Sequence, residues 1–225
     1  FVNGGTVTVG DNIELGNAAN SFGRMIMSGG TMVVTGQVLV GDNASSTGAV
    51  VITGGNVSTL ESLLIGSLGL GQFTMHGGSW TSTFIRLSDA IGGSTLTVGS
   101  GVLAAQGTGD FEIDFSGTAT VTGGVLQSHD VDLGIQPGAL ARLNVSGGTV
   151  LASNLFNIGF ASGATGIVEL TGGAITVKTT GATTEIGTTI GSHGYLILSN
   201  GNFTTEDHVR LGTAGGTGTG VLQVI

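Results

Sequence analysis

The chain has no cysteine, one proline (Pro137), one tryptophan and one tyrosine among its 225 residues. The absence of cysteine excludes disulfide bonds and thiol chemistry, although it assigns no cellular compartment. Charged residues make up only 8% of the chain, against about 25% in ordinary soluble domains. Five basic and 14 acidic residues give a net charge of −9, which disfavours nucleic acid and anionic membranes as partners. No apolar run approaches the length of a membrane span.

Glycine, by contrast, is abundant, and many of its 45 residues follow a regular spacing. A short motif recurs in which an apolar residue is followed, one position later, by a Gly-Gly pair or a close variant of it. Its last glycine returns every 23 to 28 residues, at Gly5, Gly30, Gly55, Gly78, Gly101, Gly124, Gly148, Gly173 and Gly201. Nine copies along the whole chain identify a repeat protein, whose short units must stack to bury their apolar side chains. We therefore interpret residues 1–225 as a single domain.

Apolar residues within each unit alternate with polar ones, which is the period of a strand with one buried face. Each unit contains three such segments, and aligned units place their apolar residues in columns. One column runs from Val2 through Met27, Ile52 and Met75 to Val224. The sequence therefore predicts an all-β fold, a right-handed parallel β-solenoid of about nine coils of 23–28 residues with three short strands per coil. An antiparallel propeller or sandwich would require hairpin signals and repeats nearer about 40 residues.

The register also makes predictions about single positions. The recurring glycine is predicted to be a backbone requirement, either for a positive φ or for a close approach between coils. In the fifth unit, the alternation predicts that Ile113 and Phe115 point inward, aligned with Val131 and Leu133 of the sixth unit.

Four carboxylates form the strongest candidate for a chemical site. They are Glu112, Asp114, Asp130 and Asp132. In the predicted register these residues flank the inward-facing residues of two adjacent coils and point outward, and Arg86 lies in the same column. Such a group could bind Ca²⁺, or act as the acid–base pair of a β-helix enzyme on polysaccharides. The chain lacks long loops and aromatic platforms beside them, so the favoured interpretation is a solvated acidic patch. The four histidines lie in different units without zinc-ligand spacing, and no catalytic residue, cofactor or metal site is assigned.

The first and last residues of the chain fall at the same phase of the repeat. Val2 and Val224 belong to one predicted inward column, while Val7 and Leu222 belong to neighbouring columns. An uncapped solenoid exposes open strand edges, which proteins normally cover. Either further repeats or other copies of the chain are expected to cover them. A second copy would continue the columns without a change of phase, so Val2, Val7, Leu222 and Val224 are predicted to mediate head-to-tail self-association.

Two stretches show the repeat most clearly. They are Ala141-Arg-Leu-Asn-Val-Ser-Gly-Gly-Thr-Val and Gly166-Ile-Val-Glu-Leu-Thr-Gly-Gly-Ala-Ile-Thr-Val. Each is associated with an apolar-x-apolar-Gly segment, and all nine units share this style. The chain thus resembles the repeats of bacterial secreted β-helix proteins, such as autotransporter passenger domains and large extracellular proteins with a C-terminal PEP-CTERM sorting signal.

The resemblance implies export, and hence a location outside the cell or on its surface. Members of these families are mostly adhesins, surface-coat components or matrix proteins, with a few enzymes. The expected function is therefore that of a non-enzymatic structural protein, a self-associating filament, matrix or surface-coat subunit. The stalk or passenger of an adhesin is one alternative. A carbohydrate-active or glycan-binding β-helix is the other, with surface glycans as partners.

Overall fold

The computed structural model describes residues 1–88, 93–178, 183–212 and 217–225. Every regular element in these ranges is a β-strand, and the strands form one sheet of thirteen and one of nine. Strands of consecutive coils pair in parallel throughout, so the predicted single-domain β-solenoid is confirmed. The nine strands of the second sheet correspond to about eight full turns from the first to the last. Among the described residues, no helix is long and apolar enough to cross a membrane.

Strands are numbered in chain order, and each coil contributes to both sheets. The larger sheet contains β1 (Val2–Val9), β3 (Phe22–Val34), β5 (Thr47–Ile52), β6 (Asn56–Thr59), β8 (Leu70–Ser82), β10 (Thr95–Ala105), β12 (Thr118–Ser128), β14 (Leu140–Ala152), β16 (Thr165–Leu170), β17 (Ala174–Val177), β19 (His193–Leu198), β20 (Asn202–Thr205) and β22 (Thr219–Val224). The smaller sheet contains β2 (Ile13–Leu15), β4 (Val38–Val40), β7 (Ser62–Ile65), β9 (Phe84–Leu87), β11 (Phe111–Ile113), β13 (Val131–Leu133), β15 (Phe156–Ile158), β18 (Thr183–Ile186) and β21 (His208–Leu211). We number the coils by the smaller sheet, so that coil 1 carries β2 and coil 9 carries β21.

The first two predicted strands of a coil share the larger sheet. In β1, β3, β8, β10, β12 and β14 they form one continuous strand that passes through the glycine motif. The pairing register shifts there, as between Val98 and Val102 of β10, which is the signature of a β-bulge that bends the strand. Three separate strands therefore occur only in some coils.

The core lies between the two sheets and is made of the predicted columns. Met75, Val98, Val121 and Val145 are paired in sequence along the stack, and each is 0% exposed. Two aromatic residues lie in the core of coil 4, where Phe73 and Trp80 meet edge to face with ring centroids 5.3 Å apart. Because no coil has a core of its own, the apolar side chains leave water only through contact with the coils above and below.

The glycine column is confirmed as a backbone requirement. All nine glycines have a positive φ, between 68° and 100°. A second constraint acts in the interior of the stack, because the position of a Cβ on Gly124 lies only 2.6 Å from the carbonyl oxygen of Gly101 in the coil before. Both the φ value and the close approach therefore select glycine.

The predicted register is wrong in coil 5. Phe111, not Ile113, pairs with Val131, and Ile113 pairs with Leu133. Phe115 is not a core residue, since 39% of its surface is exposed. A shift of two residues keeps the same side chains facing inward, so the alternation alone fits both registers.

Replacing Gly124 with alanine should destabilise the chain by more than the ~1 kcal/mol typical of a glycine substitution. The new Cβ would meet a strained φ and the Gly101 carbonyl together. Gly107→Ala is the matched control, because Gly107 has a φ of 66° but no atom within 4 Å of the added Cβ. Chemical denaturation of both variants measures the difference, and equal losses would show that the close approach costs nothing.

Candidate functional site

The polar side chains of interest gather where the larger sheet turns into the smaller one. In coil 6, two residues separate β12 from β13, whereas in coil 5 five residues, 106–110, separate β10 from β11. The longer connection closes on itself through a hydrogen bond from the Gly109 amide to the Gln106 carbonyl. It then places Asp110 immediately before β11, beside the corner of the next coil.

One row of polar residues runs across the outer face of the smaller sheet. Its members occupy the central position of successive strands, namely Arg86 of β9, Glu112 of β11, Asp132 of β13 and Asn157 of β15. The guanidinium of Arg86 contacts Oε2 of Glu112 through both Nε and Nη2, each at 3.0 Å. At the other end of the row, Nδ2 of Asn157 donates a hydrogen bond of 2.6 Å to Oδ1 of Asp132. The predicted stacking of carboxylates next to Arg86 is thus present, but in the corrected register.

Asp114 does not lie in this outer row, and the prediction that it points outward is wrong. It follows β11 rather than forming its centre, because the register is shifted by two residues. Its side chain is buried, and Nε of Arg86 approaches its Oδ2 to 3.4 Å. The Asp114 amide donates a hydrogen bond to the carbonyl of Leu87, which ties the end of β11 to coil 4.

A second group forms at the corner itself and comprises Asp110, His129 and Asp130. Nδ1 of His129 lies 3.2 Å from Oδ1 of Asp130 and 3.6 Å from Oδ1 of Asp110. We call these three residues the corner cluster. Of its members, sequence reasoning had singled out only Asp130. Periodicity gives no signal for Asp110, because the length of the connection before β11 follows only from the pairing of Phe111 with Val131.

Burial and like charge shift the carboxyl groups of both sets. The pKa of Asp132 is raised from 3.8 to about 7, mainly by burial, and also by the nearby charges of Asp130, Glu112 and Asp110, while the Asn157 hydrogen bond opposes the rise. The pKa of Asp110 is raised by burial and by Asp130, with the Asp130 backbone hydrogen bond and His129 acting against it. The site therefore holds more negative charge than its surroundings readily stabilise.

A shallow groove of about 520 Å³ opens near this corner. Its lining is uncharged and consists of Ala104, Ala105, Gln106, Gly107, Gln127, Ser128 and Ser153. None of the carboxylates of the outer row or the corner cluster belongs to that lining. The groove and the acidic groups therefore do not combine into one cleft.

The residues predicted for self-association lie at the two ends of the stack, as expected. Val2 and Val7 pack partly against the core at one end, whereas Leu222 is 41% and Val224 77% exposed at the other. Successive pairings place Val2 and Val224 in one column. Both also occupy the same position within a coil, so two copies stacked end to end would bring these residues into competition. The prediction that a second copy continues the columns therefore requires that Val2 or Val224 gives way, and the contacts within one chain do not test it.

Asp132→Asn should remove a pH-dependent loss of stability. A raised pKa means that the folded chain favours the protonated form, so this stabilisation is complete below pH 3.8 and is lost as the pH rises through about 7. At about 1.4 kcal/mol per pKa unit, the variant should gain roughly 2–4 kcal/mol over wild type at pH 8. Asparagine keeps the oxygen that accepts from Asn157.

Thermal melts between pH 4 and 8, with a chelator present, measure this difference. The exposed Asp11 of coil 1 provides the control Asp11→Asn, whose melts should follow the wild-type pH profile. Parallel profiles for Asp132→Asn and wild type would show that the Asp132 carboxyl does not titrate in this range.

Comparison with protein-family models, with curated proteins and with solved structures finds no match to this chain. The fold and the candidate sites consequently rest on the geometry described above.

Proposed function

We propose that the chain is a structural subunit of the cell exterior, which associates end to end into a filament, matrix or surface coat. Ladders of backbone hydrogen bonds that continue from coil to coil in both sheets support this proposal, because they join short repeats into one long element. The aliphatic core extends through all the interior coils. The net charge of −9 opposes close packing of copies, but with only 8% charged residues most of the surface is uncharged.

The two ends of the stack carry the unpaired edges of the same strands. At one end these are residues 6–9 of β1, together with β2, and at the other they are β20 and β21. Val7, Ile13 and Leu15 are only partly buried at the first end, as are Phe203 and Val209 at the second. Placing coil 1 of one copy on coil 9 of another would pair these edges and bury these side chains.

Charge complementarity at the two ends is the observation that carries the proposal. The central positions of the smaller sheet form one continuous column, from Glu14 in coil 1 to Arg210 in coil 9. Stacking coil 1 on coil 9 would therefore set Glu14 directly above Arg210. The same arrangement, an arginine of one coil beside a glutamate of the next, already exists inside the stack, where Arg86 of coil 4 contacts Glu112 of coil 5 at 3.0 Å.

The energetic terms for association are opposed and of similar size. Each fully buried Val, Leu or Ile side chain contributes about 1.5–3 kcal/mol, and the backbone edges gain hydrogen-bond partners. Lost translational and rotational freedom costs about 4–15 kcal/mol. The contact joins different surfaces of the two copies, so it produces an open filament rather than a closed ring.

The stalk of an adhesin is a second candidate, because a stack of coils about 4.8 Å apart also holds other parts at a distance. In that case coils of the same polypeptide would cover both edges, and coil 1 of one copy would not meet coil 9 of another in the native assembly. The two candidates therefore differ in whether Glu14 and Arg210 of separate copies meet in native material, and association of the purified chain is required by the filament alone. The carbohydrate-active alternative would use the outer row Glu112–Asp132, which lies on a sheet face rather than in the groove.

The purified 225-residue chain should form fibres, and their length should depend on the sign of charge at positions 14 and 210. Glu14→Arg would place a positive charge against Arg210 of the next copy, and Arg210→Glu would place a negative charge against Glu14. An exposed ion pair contributes about 0.2–1 kcal/mol, so each single variant should lower the association constant up to about fivefold. The double variant restores an opposite-charge pair and should recover long fibres. Electron microscopy and sedimentation at matched concentrations measure the effect.

Glu61→Arg is the matched control, since Glu61 is exposed on an interior coil and should not affect fibre length. Arg210 also contacts Glu185 of its own chain at 3.1 Å. Arg210→Glu would place two negative charges there, so the thermal stability of each variant is measured alongside.

Removing residues 1–3 should lengthen the fibres, because the competition between Val2 and Val224 disappears. A wild-type chain that stays monomeric at high concentration would contradict the filament and favour the stalk.

A further inference from the structure

The corner cluster combines a histidine nitrogen with two carboxylates from adjacent coils. One donor atom from each of Asp110, His129 and Asp130 can be chosen so that all three lie within 4.8 Å of one another. Their side chains are 27%, 31% and 16% exposed, so the group is accessible from solvent but held against the surface. This combination of donors lies outside the outer row considered above.

The donor spacings fit a small divalent ion. Bonds of about 2.0–2.1 Å place neighbouring donors roughly 3.0–3.4 Å apart around a tetrahedral or octahedral centre. The distance of 3.2 Å from Nδ1 of His129 to Asp130 lies within this range, and the distance of 3.6 Å to Asp110 is slightly longer, so binding would draw Asp110 closer. A nitrogen donor with two carboxylates suits first-row transition ions, whereas Ca²⁺ takes oxygen ligands only.

The carboxylates are also held in place by the backbone of the following coil. Oδ1 of Asp110 accepts a hydrogen bond of 3.1 Å from the Asp130 amide, and Oδ1 of Asp130 accepts one of 2.8 Å from the Leu155 amide. The His129 amide donates to the carbonyl of Gly109 at 2.9 Å. Such outer contacts orient metal ligands in known sites and reduce the reorganisation that binding requires.

The local charge balance favours a cation as well. The salt bridges of Arg86 reach Glu112 and Asp114 rather than the corner cluster. Asp110 and Asp130 both approach Nδ1 of His129, at 3.6 and 3.2 Å, so the two carboxylates lie close enough to repel each other. A bound cation would replace this repulsion by attraction.

We propose that Asp110, His129 and Asp130 bind one divalent transition-metal ion of the Zn²⁺ type, with water completing its coordination. The ion joins the long connection of coil 5 to the short corner of coil 6. It therefore links two successive coils by bonds that supplement the backbone ladder. This site is independent of the proposed end-to-end association.

Calorimetric titration of the metal-stripped, full 225-residue chain with Zn²⁺ tests the site. One ion per chain should bind, and the melting temperature should rise with Zn²⁺ concentration by mass action. His129→Asn removes a direct ligand and should weaken binding at least as much as the about 10- to 100-fold seen when an outer contact is lost. With a chelator present, the melt of His129→Asn should match that of wild type, which shows that its fold is intact.

His208→Asn is the matched control, because His208 is exposed and contacts Asp207 on coil 9. This variant should retain the one-to-one binding of wild type. Loss of binding in His208→Asn, but not in His129→Asn, would overturn the assignment, as would the absence of Zn²⁺ binding. Equal stabilisation by Ca²⁺, unaffected by His129→Asn, would reduce the group to a general acidic patch and equally overturn it.

Discussion

The parallel hydrogen-bond ladder between successive coils is the constraint on which the rest of the structure depends. A single coil is too small to bury its own apolar residues, so each coil is stable only as a template for the next. The ladder places equivalent residues of successive coils about 4.8 Å apart. A side chain that is too large for its position therefore collides with the equivalent residues of the neighbouring coils. Glycine at the bend follows from this, because the backbone of Gly124 approaches that of Gly101 too closely for a Cβ.

The same ladder explains why an otherwise weakly charged chain concentrates its carboxylates. On the outer face, a residue at the centre of one strand lies directly beside the residue at the centre of the next. Glu112 is thereby brought against Asp132, and Asp110 lies near Asp130. Like charges in this arrangement destabilise both partners unless a cation intervenes. Arg86 provides one beside Glu112, and the corner cluster is where we propose that a metal ion provides another.

Association of copies and growth of the rod would use the same contact. An edge strand presents backbone donors and acceptors that match those of the opposite end, and the outer column adds Glu14 at one end and Arg210 at the other. A repeat whose units stack in this way needs no separate interface for assembly. Its low proportion of charged residues and its core of stacked aliphatic columns would suit the proposed filament and the alternative stalk equally.

The sequence alone determined the fold class, because nine glycine motifs and strict apolar alternation leave few other ways to bury the chain. It also determined the core columns, such as the one through Met75, Val98 and Val121, and the positive φ of the glycines. It did not determine the register of coil 5, because a shift of two residues preserves which side chains face inward. Only the pairing of β11 with its neighbours decided whether Phe111 or Ile113 lies beside Val131. The same pairing decided whether the Asp114 side chain is exposed or buried. The position of His129 between Asp110 and Asp130 likewise depends on the length of one corner, which periodicity does not specify.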